Sequence, residues 1–139
     1  MMSRISFSVP VLVLFIAATL RLSGASNPWV VYDGFPGPGN GKHIVLISGD
    51  EEYRSEEALP QLGKILARRH GFKCTVLFAI DRKDGTINPQ QLDNIPGLEA
   101  LETADLMIIF TRFRQLPDEQ MKYIDDYVQS GRPIIGLRT

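Results

Sequence analysis

Four short apolar runs, at residues 44–47, 75–80, 106–110 and 133–137, set the frame for this chain. The first, Ile44 to Ile47, is continuous in hydrophobic residues rather than alternating, the pattern of a strand covered on both faces. Helical patterns separate the four runs. The first has Leu59, Leu62, Ile65 and Leu66 on one face and Lys64, Arg68 and Arg69 on the other, and Gly71 follows as its stop. Pro60 is tolerated only in a first turn, so this helix is expected to begin near Glu57. A short helix is expected over residues 98–104. A third opens at Pro117 with Asp118 and Glu119 in its first turn, buries Met121, Ile124 and Val128, and ends at Gly131. Strand–helix alternation predicts an α/β fold with a parallel sheet and right-handed crossovers. Counting the four strands along the chain, the expected order is 2-1-3-4, a flavodoxin-like, incomplete three-layer sandwich.

The residues before this frame read differently. A short basic start, an apolar run of about a dozen residues from Val9 to Leu20 and the small residues Ser23 and Ala25 fit a secretory signal peptide over 1–25. The run is short for a bilayer span, and an uncleaved anchor is the alternative. The expected location is therefore secreted or periplasmic, with membrane contact only through that segment. Residues 26–42, rich in glycine and proline, form an exposed lead-in in which Trp29 to Tyr32 pack down as a small flap. Residues 43–139 carry the domain.

Composition narrows the chemistry. Without Arg4 and Arg21, thirteen of the 15 lysines and arginines face 16 acidic residues, a charge near −3. Nucleic acid calls for a basic face, so it is not an expected partner. The one cysteine, Cys74, sits inside the second strand run and offers neither an internal disulfide nor a metal-ligand spacing. No cofactor is expected, although a divalent ion among the acids stays open. A glycine-rich dinucleotide fingerprint and a phosphate loop are both lacking after the first strand. The third strand ends Phe110-Thr111-Arg112, without the aspartate of a phosphoacceptor receiver.

In a parallel sheet all loops leaving strand carboxyl ends share one edge, and ligands bind there, where the strand order reverses. The first strand exits through Gly49-Asp50-Glu51-Glu52-Tyr53-Arg54-Ser55, the third through Thr111-Arg112-Phe113-Arg114 and the fourth through Leu137-Arg138. The candidate site is Asp50, Glu51, Glu52, Tyr53 and Arg54, facing Arg112, Arg114 and Arg138. On a functional reading the arginines hold an anionic or hydroxyl-rich ligand with forked donors, and Glu51 or Glu52 serves as acid/base. Tyr53 and Phe113 would add an aromatic wall. On a structural reading the acids stabilise the first helix N-terminus and pair with the arginines, and Ser55 is its N-cap. His43 and His70 fall on the opposite edge.

The string GDEEYRSEEALP, with HGFKCTVLF, ADLMIIFTRFR and GRPIIGLRT, resembles the start of secreted bacterial (planctomycete-like) ThuA-like, or trehalose-utilisation, domain proteins, from about residue 27 onward. The resemblance implies a class I glutamine amidotransferase-like fold and a role in carbohydrate metabolism, with a sugar or sugar-derived ligand. In that family the chain continues beyond a segment like Gly136 to Thr139 into an elbow. True amidotransferases carry a cysteine nucleophile there, which ThuA-like domains generally lack. This sequence ends before the elbow, so the expectation is a fragment truncated at its C-terminus, either a sugar-metabolising enzyme cut short, a non-catalytic carbohydrate- or partner-binding module, or an inactive remnant. A strand at 133–137 left as a bare edge would invite self-association.

Overall fold

The strand at residues 44–47 is the centre of the molecule, and its environment explains why it is apolar without alternation. The computed structural model describes residues 27–138, so the signal-peptide reading for 1–25 lies outside them. In chain order the elements are β1 (Val30–Tyr32), β2 (His43–Gly49), α1 (Ser55–His70), β3 (Lys73–Leu77), a 3-10 helix (Leu98–Thr103), β4 (Leu106–Thr111), α2 (Asp118–Gln129) and β5 (Ile134–Gly136). Side chains of β2 alternate between two cores. Ile44 and Leu46 join Leu59, Val76, Ile108 and Phe110 on one face. Val45 and Ile47 join Leu77, Met107, Leu101 and Tyr127 on the other. Burying each such side chain contributes about 1.5–3 kcal/mol against the entropy of ordering the chain.

The sheet is mixed, with five strands in the order β1-β3-β2-β4-β5. This corrects the expected four-stranded, all-parallel order 2-1-3-4. The added strand is β1, expected only as a flap, which pairs antiparallel with β3 in the register Val30↔Val76 and Tyr32↔Cys74. Two β-branched valines and a tyrosine suit a pleated edge, and β3 had an open side to receive them. The lead-in after β1 is bound too. The Phe35 amide donates to the Ala67 carbonyl at 3.0 Å and that of Gly39 to His70 at 2.7 Å. A Cβ on Gly34 would stand 2.1 Å from the Gly71 carbonyl oxygen, so this crossing needs glycine. β2, β3, β4 and β5 run parallel, and β2 lies between β3 and β4. Strand order therefore reverses between β2 and β4.

Both long helices depart from expectation in phase. α1 begins at Ser55, not near Glu57, so Pro60 lies inside it and forgoes one backbone hydrogen bond. Its buried line is Ser55, Leu59, Gly63 and Ala67, while Ile65 is exposed. Gly63 admits β1, since a Cβ there would touch Val76 and Tyr32 at 3.2 and 3.3 Å. Gly71, at φ 82°, caps the helix and donates to the Ala67 carbonyl, and the Phe72 amide after it donates to Leu66. In α2, Met121 and Val128 are exposed, and fully buried Tyr127 takes the inward position with Tyr123 and Ile124 beside it. Tyr127 donates its hydroxyl to the Pro133 carbonyl at 2.8 Å, which makes a buried phenol tolerable. Cys74 is packed in the core, and burial pushes its thiol up to about 11, so it is inert. Among the described residues no helix is long and apolar enough to cross a membrane.

Candidate functional site

The turn leaving β2 is built on one aspartate. Asp50 is fully buried, and its Oδ1 accepts the backbone amides of Glu52, at 2.9 Å, and Tyr53. A short carboxylate closing its own following turn is a favoured local structure. Ser55 locks the other side. Its Oγ accepts the Asp50 amide at 2.9 Å and meets Ser48 Oγ at 2.8 Å. Ser55 is thus the first helical residue and not the N-cap. That place falls to Arg54, in left-handed conformation at φ 55° with no side-chain cap. The turn consequently holds Glu51 and Glu52 out over the sheet edge. Asp50 Oδ2 has no hydrogen-bond partner among the described residues.

The turn leaving β4 lies directly opposite, because Gly49 is in register with Thr111. The Arg112 amide donates to the Gly49 carbonyl at 3.1 Å, tying the two turns together. Phe113 follows at φ 51°, the second non-glycine left-handed residue of the described chain, which reverses the backbone and leaves the ring exposed. Arg112 stacks on that ring, 4.7 Å from its centroid. Its guanidinium pairs with Glu52, and its Nε lies 3.7 Å from Glu51.

Arg114 has a different role. Its side chain is 8 % exposed and every nitrogen is occupied. Nε donates to the Arg112 carbonyl at 2.7 Å, Nη1 to Gln91 at 2.9 Å, and Nη2 to Pro89 at 3.1 Å and to Glu51 at 3.3 Å. Burial lowers this guanidinium from its ordinary range, and Glu51 and Asp50 oppose that shift. Arginine stays charged at any pH the fold survives, so Arg114 is a fixed cation beneath the crevice. It joins the turn after β4, the loop at residues 89–91 and the turn after β2.

Of the residues expected at the site, Glu51, Glu52, Arg112 and Arg114 are brought together, with Asp50 buried beneath them and Tyr53 exposed at the rim. Arg54 instead pairs with Glu57, along α1. Arg138 is exposed beyond β5 and makes no ion pair among the described residues. Sequence reasoning missed Gly49 and the carbonyls of Pro89 and Gln91. A Cβ on Gly49 would meet Arg114 Cδ at 3.1 Å, so glycine makes room for the buried arginine. A glycine ending a strand opposite an arginine-bearing turn was the available signal. Among the described residues no three His, Cys, Asp or Glu side chains are placed to hold a metal ion. No protein-family model, curated protein or solved structure matches the chain.

Proposed function

We propose that the crevice between the β2 and β4 exit turns binds a hydroxyl-rich, carbohydrate-type ligand. On this reading the chain is a secreted ThuA-like domain protein in trehalose-type sugar metabolism, on a flavodoxin-like, class I glutamine amidotransferase-like version of the α/β architecture. The observation that carries the binding claim is backbone strain. The two non-glycine residues with positive φ among those described, Arg54 and Phe113, sit in the two turns that frame the crevice. Each costs on the order of 1 kcal/mol or more, and such strain concentrates at binding sites.

The side chains fit a sugar in complementary ways. Arg112 and Glu52, 30 % and 54 % exposed, keep donors and acceptors open to solvent in spite of their mutual pairing. Vicinal hydroxyls match a guanidinium fork on one side and a carboxylate on the other. Exposed Tyr53 and Phe113 offer apolar faces to the C–H face of a ring. Glu51 is fixed by two arginines and acts as an anchored acceptor, which leaves Glu52, more exposed and paired with Arg112 alone, as the carboxylate to exchange a proton with a ligand. The same fixing of Glu51 favours a second reading, a non-catalytic carbohydrate-binding module with no proton transfer at all. The test is calorimetric titration of the protein with trehalose, beside Glu52→Ala and Arg112→Ala. The proposal expects saturable heat from the parent and at least a tenfold loss in each variant. A silent parent, or two variants that bind like it, would overturn it.

A further inference from the structure

On the α2 side of the sheet, next to the crevice, lies a cavity of about 150 Å³ that the sugar reading does not use. Its floor is Ile47 of β2, which has no solvent exposure, and Ile109 of β4. Ile95 and Leu116 from connecting loops and Ile124 from α2 form walls, and Met121, 46 % exposed, stands at the surface. The polar lining is confined to Thr111 and Arg114. Four of the five guanidinium N–H groups of Arg114 already donate to carbonyls or to Glu51. A confined water needs two to four polar partners, and this wall supplies little beyond one hydroxyl and one N–H. Apolar voids of this size lined by branched aliphatic residues hold a ring the size of benzene.

We infer that this cavity is a second binding site, taking a small aromatic ring or branched hydrocarbon group of up to about six carbons. Binding there follows from shape and the removal of apolar surface from water, and it stands whether or not the crevice accepts a sugar. The cavity lies against Arg114, the residue that joins both exit turns, so an occupant would contact the strut on which the crevice is mounted.

Benzene is the probe, followed through the methyl resonances of the isoleucines. Saturable shifts are expected at Ile47, Ile95, Ile109 and Ile124, with little change at Ile44 and Ile108 in the opposite core. Met121→Trp, at a half-exposed position that does not endanger the fold, should close the mouth and weaken binding at least tenfold. Met121→Ala should keep it. Absence of saturable shifts in the parent, shifts spread evenly over both cores, or a Met121→Trp protein that binds like the parent would each overturn the inference.

Discussion

The two edges of the sheet use the same residue types to opposite ends. At the amino edge, where connections enter β2, β4 and β5, polar groups close on one another. Asp105 accepts the His43 amide at 2.8 Å and the Lys42 ammonium at 2.9 Å, and the His43 ring lies between Thr103 and Thr75 at 3.2 and 2.9 Å. Arg132 stacks on Tyr127 and donates to the carbonyls of Leu101 and Ala104 at 2.9 and 2.7 Å, ending the 3-10 helix. No left-handed non-glycine residue occurs there among the described residues. At the carboxyl edge Arg114 is equally committed, yet Arg112, Glu52, Tyr53 and Phe113 stay open to solvent, in the two turns that hold the left-handed Arg54 and Phe113. One edge is finished by its own contacts, whereas the other is braced from below and left unfinished above.

Substitutions should separate the braces from the open groups. The largest loss is expected for Arg114→Ala, which leaves three carbonyls and a partly buried Glu51 without their cation. Roughly 2–4 kcal/mol of stability should disappear in urea unfolding, with sugar binding lost as the two turns drift apart. Arg132→Ala removes the comparable clamp on the opposite edge and should cost about 1–2 kcal/mol in the same assay, with sugar affinity unchanged. Equal effects of both on binding would erase the distinction between the edges.

Between pH 8 and 5, above the carboxylate range, acid probes the amino edge through His43. Burial and the Lys73 charge hold the His43 imidazole below its ordinary 6.5, against Thr103 and Asp105. The unfolded chain then binds the proton more readily than the folded one, so this contribution is full above pH 6.5 and falls as pH drops below it. Urea unfolding from pH 8 to 5 should show this decline, and His43→Gln should flatten it. Arg112→Ala should change stability least, by under about 1 kcal/mol, because its pair with Glu52 is solvent-exposed and Glu51 keeps Arg114 as its partner, while reducing sugar affinity at least tenfold.

The strand runs were legible because β2, β3 and β4 are buried on both faces, so burial imposes unbroken hydrophobicity on the sequence. β1 was not, because three residues between glycine- and proline-rich stretches carry no periodicity and their pairing depends on the open side of β3. The phase of α2 was misread for a related reason. Met121, Ile124 and Val128 recur at helical spacing, but so do Tyr123, Ile124 and Tyr127, and the bond from Tyr127 to Pro133 selects the second set. At the site, the meeting of Glu51 and Glu52 with Arg112 follows from two parallel strands in register. The bracing by Arg114 does not, since its acceptors are backbone carbonyls at Pro89 and Gln91 that no residue type announces.

Amide shifts during a trehalose titration test the asymmetry of the two edges most directly. The account predicts saturable changes at residues 51–54 and 111–114, and none at residues 70–73, 103–105 or 130–132. Changes at the amino edge, or a titration that moves neither edge, would contradict it.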